Sequence, residues 1–196
     1  MNQNLNDRSY TIGDYLCRVY ENPACYSAMA QLSASMRTQH NRCLRSEDWL
    51  EEYLTLPGTF ALLMSCGRQF QLAGYLLLRR PQGRQPYVLV DAAQVHGSLG
   101  EEAYASLSCG LYYWLSVRPL QFYMPASATG FNRAIVRVPV HGFVGDQGRL
   151  TRCGWRQGGQ FSRCGVDYVL YFLCAAYGLD IGQVLAEARQ YALANH

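Results

Sequence analysis

The chain holds eight cysteines, at 17, 25, 43, 66, 109, 153, 164 and 174, yet no two of them stand in a CxxC pair. Structural zinc sites take their ligands from such close pairs, so the spacing argues against a metal site. No run of five or more like charges occurs, and seventeen basic side chains against fourteen acidic ones leave a net charge of only +3. Nucleic-acid binding by bulk charge is therefore not expected. No apolar run reaches membrane length: the longest, 166–179, contains Asp167 and falls short of the roughly 20 residues that a spanning helix needs. Nothing like a secretory leader opens the sequence, since the first nine residues are polar and include Asp7 and Arg8. The expectation is a cytoplasmic protein with free thiols, most of them buried. There is no internal repeat beyond the echo of Arg152-Cys153-Gly154 in Arg163-Cys164-Gly165. No cysteine stands in a Cys-His-Asp order that would make it a nucleophile.

What is present is material for a core. Hydrophobic residues make up 49% of the chain and charged ones 16%, with fifteen tyrosines to cover half-buried surface. A length of 196 residues suits one domain, taken here as 1–196. Residues 12–53 are rich in Ala, Leu, Met and Arg and are broken once by Asn22-Pro23. Ser46 precedes Glu47 and Asp48 as a helix cap does. Two or three helices are expected in this N-terminal part, 1–57, which Leu56-Pro57-Gly58 closes.

The pattern then changes. Apolar runs at 59–66 and 70–79 flank the turn Gly67-Arg68-Gln69 and predict a hairpin, and 86–91 predicts a third strand. A polar loop, Gln94-Val95-His96-Gly97-Ser98-Leu99-Gly100, leads into a helix over 100–117. Its apolar stripe is Ala103, Leu107, Leu111, Trp114 and Leu115. Residues 120–124 read as a further strand. Residues 132–141 read either way: Val136, Val138 and Val140 alternate as in a strand, while Asn132 could cap a short helix ended by Pro139. A closing hairpin is expected from 148–155 through a turn at Arg156-Gln157-Gly158-Gly159 to 166–173. Asp180 then caps a final helix over 179–194.

Asn132-Arg133-Ala134-Ile135, Gly142-Phe143 and Gly148-Arg149-Leu150 resemble the C-terminal pattern of the GNAT acyltransferases, Asn-x-x-(Ala or Ser), Gly-Phe and Glu-Gly-x-Leu. Gly154-Trp155-Arg156, the Gly-Gly turn and Asp167-Tyr168-Val169-Leu170-Tyr171 are similar to the last hairpin of the subgroup that acetylates ribosomal proteins and related amines. The element order over 59–173 also resembles this family. The resemblance implies an α+β (α/β/α) fold: a mixed, mostly antiparallel central sheet with N-terminal helices, to which this chain adds a C-terminal helix.

The resemblance further implies acetyl-CoA as acyl donor and a primary amine, on a small molecule or a protein, as acceptor. In such a fold the loop before the central helix presents its amides to the pyrophosphate of coenzyme A, helped by the helix dipole. That role falls here to His96, Gly97, Ser98, Leu99 and Gly100, with Asn132 also assigned to the cofactor. The loop departs from the family's (Gln or Arg)-x-x-Gly-x-(Gly or Ala): Gln94 and Gly97 fit, but leucine stands at 99. A shifted register offers Ser98 and Gly100 with Val95 at the basic position. For proton transfer the candidates are Asp91 at the end of the third strand, His96 and Tyr123. The family's tyrosine acid after Asn132 is missing, with Val138 and Pro139 in its place. That absence keeps open an alternative: a GNAT-shaped binding, accessory or inhibitor module without catalysis. Dimers are common in the family, which leaves a homodimer open.

Overall fold

The computed structural model describes residues 9–20, 25–35, 46–67, 71–82, 87–116, 133–140 and 144–194. Eight strands form one sheet in the order β1-β2-β3-β4-β5-β6-β8-β7. They are β1 (Ser9–Ile12), β2 (Tyr15–Tyr20), β3 (Thr59–Cys66), β4 (Gln71–Arg79), β5 (Tyr87–Val95), β6 (Arg133–Pro139), β7 (Arg156–Arg163) and β8 (Val166–Cys174). The β5/β6 pair is parallel and every other neighbouring pair is antiparallel.

Helices cover both faces, and strand alternation assigns each side chain to a layer. On β4, Leu76 and Leu78 join the core under α3 (Gly100–Ser116), α4 (Val144–Arg152) and α5 (Ile181–Ala194). Tyr75 and Leu77 join the smaller core under α1 (Tyr26–Ser35) and α2 (Glu47–Thr55). The predicted stripe on α3 is buried, but so are Ala105, Ser106, Ser108 and Cys109. The reason is that Val184 and Ala188 of α5 belong to the same core, so α3 is covered on more than its sheet-facing side. Asp180 accepts from the Gln183 amide at 3.0 Å and Ser46 from the Trp49 amide at 3.2 Å, as the capping signals predict.

Three expectations need correction. Residues 12–20 are not helical: Tyr15, Cys17 and Val19 alternate with more exposed neighbours, and this period-two pattern makes a strand hairpin. Residues 148–155 are not a strand, because α4 runs through Arg152. It ends in a Schellman cap, with Gly154 N–H bonding Thr151 O (3.1 Å) and Trp155 N–H bonding Leu150 O (3.0 Å), and Gly154 at φ +83°. The closing hairpin therefore turns later, at Cys164 and Gly165, which both hold positive φ as a two-residue I′ turn requires. Gly158 and Gly159 lie inside β7 at a register shift. The open choice at 132–141 resolves as a strand over 133–139. Strand 120–124 and Gly142-Phe143 fall outside the described residues.

Candidate active site

The sheet splits at one residue. Parallel pairing of β5 with β6 runs from Tyr87↔Arg133 to Val90↔Val136 and stops there. On the other side of β5 the register jumps from Leu78↔Val90 to Leu77↔Ala92, so Asp91 is an extra residue with no partner on β4. A bulge of this kind bends its strand and re-aims the side chains beyond it. Before it, Val88 and Val90 enter the α3 core; after it, Ala93 and Val95 do. From Asp91 onward β5 leaves β6, and a cleft of about 310 Å³ opens between them. Its walls are Asp91 to Gln94 of β5 and Val136 to Pro139 of β6. Tyr104, Leu107 and Ser108 of α3, together with Arg149, Leu150, Cys153 and Trp155, close it. The Trp155 indole N–H donates to Ser108 Oγ at 3.0 Å, tying the end of α4 to α3 beneath the cleft.

Two clusters of one carboxylate with two arginines stand at the cleft. Asp91 takes Arg79 in a bidentate pair, Nε to Oδ2 at 2.6 Å and Nη2 to Oδ1 at 3.2 Å. The Tyr53 hydroxyl also donates to Oδ2, at 2.8 Å, and Arg137 Nη2 lies 3.7 Å from Oδ1. Burial, then the Asp91 charge, pushes the Tyr53 hydroxyl well above its usual range. Glu101, in the first turn of α3, receives Arg149 Nε at 2.9 Å and Arg152 Nη2 at 3.2 Å, both on Oε1. Arg149 also lies over the Tyr104 ring, 4.3 Å from its centre. Burial first, then Glu101, pushes the Cys153 thiol up to about 12. It stays protonated at neutral pH and is no nucleophile.

Beyond Gln94 the strand ends in a 3-10 turn, Gly97–Leu99, that leads directly into α3. His96 N–H bonds Ala73 O (2.8 Å) and Leu99 N–H bonds His96 O (2.9 Å). The His96 ring caps the turn, with Nδ1 2.7 Å from Ser98 Oγ and 3.4 Å from the Ser98 amide. Gly100 has φ +55°, and a Cβ there would meet nothing within 4 Å, so the ground before the helix start is open.

No family model and no curated protein matches the sequence. Solved structures do match. A probable GNAT-family acetyltransferase from Chromobacterium violaceum aligns at TM-score 0.62 and 14% identity, over 86% of this chain and 92% of its own. A ribosomal-protein α-N-acetyltransferase in complex with coenzyme A aligns at 0.59 and 11%, over 85% and 97%. A chimera built on the spermidine N-acetyltransferase of Vibrio cholerae aligns at 0.58 and 13%, over 83% and 96%. The chain has the GNAT fold. At these identities the likeness is one of fold.

Of the expected site residues in this GNAT fold, Asp91 lines the cleft, while His96, Gly97, Ser98, Leu99 and Gly100 form the turn beyond its β5 wall. Tyr123 and Asn132 lie outside the described residues. Sequence reasoning passed over Arg137, Tyr104, Arg149 and Trp155, which also line the cleft, and Arg79 and Tyr53, which hold Asp91. One signal was available for Arg137. With Val136 and Val138 on one face of a strand, residue 137 must face the other way, and an arginine within such a strand needs a partner.

Proposed function

We propose that this chain is an N-acyltransferase that moves an acetyl group from acetyl-CoA to a primary amine. The supporting observation is the splay itself: a cleft between two diverging strands that leads along β5 to an amide-bearing turn and a helix start. Acetyl-CoA would supply the activated acyl group as a thioester. The residues present fit it. Gln94 Oε1 is buried in the cleft wall with no hydrogen-bond partner among the described residues, so it is ready to accept from an amide of the pantetheine arm. The volume suits a ligand segment, and the open ground at Gly100 lets phosphates approach the first turn of α3, whose amides lack intrahelical partners. The cradle comprises His96, Gly97, Ser98, Leu99 and Gly100, with Arg149 and Arg152 adding positive charge beside it. Asn132 keeps its expected place as a further cofactor contact.

The proton transfers fall to different groups than a reading of types alone suggests. A carboxylate offers about four lone-pair sites, and at Asp91 the Arg79 fork takes two and the Tyr53 phenol a third, with the Arg137 charge 3.7 Å away. Asp91 thus acts as a positioning residue that fixes both walls at the point of splay. His96 is held by Ser98 and serves the turn. Tyr104 is the cleft's tyrosine among the described residues, and we assign its hydroxyl as proton donor to the departing sulfur, with Tyr123 as the alternative donor. Tyr104→Phe should then lower kcat by about 100-fold with little change in the acetyl-CoA effect on melting.

The direct test is thermal unfolding with acetyl-CoA. At 100 times its dissociation constant the ligand should add about 2.7 kcal/mol of stability, and Ser98→Glu should reduce the shift by placing a negative charge in the cradle. An unchanged melting point for the wild type would overturn the reading. The occupied Asp91 favours one second reading, a GNAT-shaped module that binds without turnover. It would show the acetyl-CoA shift with no acetylated product from any amine.

A further inference from the structure

We infer that the amine acceptor carries a carboxylate, and that Arg137 is the residue that selects it; this rests on the acyltransferase reading above. The chain has no lysine, so all seventeen basic side chains are arginines. A guanidinium offers a planar fork of donors that matches a carboxylate, which an ammonium does not. Acidic residues are missing where a cationic substrate would need them. Asp91 is the one Asp or Glu between Glu52 and Glu101, and none stands between Glu102 and Asp146. Asp91 is also the one carboxylate lining the cleft among the described residues.

That carboxylate is already committed. Arg79 uses Nε and Nη2 on it, and Tyr53 donates to it as well. Arg137 reaches it with a single nitrogen at 3.7 Å, too far for a hydrogen bond of ordinary geometry. Its guanidinium is therefore held near Asp91 by charge while its donors stay largely unspent among the described contacts. The side chain is 33% exposed and lines the cleft just past the last β5/β6 pair. One negative charge against two positive ones leaves this wall with an excess positive charge. The remaining charged residue of the lining, Arg149, is held by Glu101 on α3. A polyamine would enter with like charge against it, whereas an amine bearing a carboxylate would find an unspent fork.

The test compares glycine, β-alanine and aspartate with glycinamide, β-alaninamide and spermidine as acceptors, using acetyl-CoA and the full chain. The carboxylated amines should be preferred, and Arg137→Gln should raise their KM by about 10- to 100-fold, the worth of a charged hydrogen bond. The amides should change little. Arg156→Gln, which removes a guanidinium stacked on Tyr177 away from the cleft, serves as the control. A second arm needs no turnover: N-acetylglycine, but not its amide, should raise the melting point of the wild type without acetyl-CoA, and Arg137→Gln should abolish that shift. Spermidine or the amides accepted as well as the carboxylated amines would overturn the inference while leaving the acyltransferase reading intact. If acetyl-CoA neither binds nor reacts, that reading falls, and the N-acetylglycine titration alone decides whether Arg137 holds a carboxylate.

Discussion

The two carboxylate clusters at the cleft have the same composition and different mechanics. Glu101 joins helix to helix: its side chain is 9% exposed, and both of its arginines come from α4, three residues apart on one helical face. Asp91 joins strand to strand: it is 17% exposed and draws on Arg79 of β4, Arg137 of β6 and Tyr53 of α2. The first cluster closes the α3 side of the cleft, and the second sits where the sheet comes apart. Each has one arginine more than it has carboxylates. In the acyltransferase proposed above, the surplus at the α3 start would face the phosphates and the surplus at the splay the anionic acceptor. The difference is Arg137: Arg149, Arg152 and Arg79 each hydrogen-bond their carboxylate, whereas Arg137 stands 3.7 Å from Asp91 and is held loosely.

The largest expected effect that separates the two sides is alkaline. Burial pushes the Cys17, Cys109 and Cys153 thiols up to about 12, and all three belong to the α3 core. A group whose pKa is raised by folding contributes its stability in full below the unfolded value, and loses it as pH rises toward the folded value. Unfolding free energy should therefore fall between about pH 9 and pH 12, by about 1.4 kcal/mol per pH unit for each thiol that ionises only when unfolded. Urea titrations across that window would measure it, and Cys109→Ala should flatten the slope. A flat profile would mean that the thiols are not shielded as the core requires.

Removal of each carboxylate comes next. Glu101→Ala leaves Arg149 and Arg152 without their carboxylate, with Arg152 Nε already buried and lacking a hydrogen-bond partner among the described residues, and should cost about 3 kcal/mol. Asp91→Ala should cost less, about 2 kcal/mol, because Asp91 is more exposed than Glu101, 17% against 9%, and Arg137 at 3.7 Å has no hydrogen bond to lose. Equal losses in chemical denaturation would show that the loose hold on Arg137 and the greater exposure of Asp91 make no energetic difference.

The sequence carried the strands at 59–66 and 70–79, because Phe60, Leu62, Leu76 and Leu78 form apolar runs closed by turn residues, and it carried α3 because its stripe is long, but it ended the third strand at 91, short of Val95. It missed the β1/β2 hairpin: six residues of alternation at Tyr15–Tyr20 are outweighed by the helix formers that follow, and strand pairing with β3 is a non-local fact. It placed α4 in a strand because Gly158-Gly159 reads as a hairpin turn, which makes 148–155 the first arm. Those glycines instead lie within β7 and Gly154 caps a helix, whose spacing shows in the converging bonds of Arg149 and Arg152 on Glu101. Of the expected site residues, Asp91 and the turn at 96–100 were legible as residue types, but Asp91 sits inside β5 at the bulge rather than at a strand end, because the strand runs on to Val95. The occupation of Asp91 was not, since Tyr53, Arg79 and Arg137 lie 38, 12 and 46 residues away along the chain.

The smallest effect is the most specific to the Asp91 side. Tyr53→Phe removes one donor to Oδ2 and leaves the Arg79 pair in place, so at pH 7 it should cost about 1 kcal/mol. Above pH 10 the wild type should lose stability as the unfolded Tyr53 ionises while the folded one stays protonated, because its pKa is raised by burial and by Asp91. The variant has no such group, so the gap between the two proteins should narrow as pH climbs beyond 10. A gap that stays constant through that range would place the Tyr53 hydroxyl in water rather than on Asp91, and the wall at the splay would then be held by arginine alone.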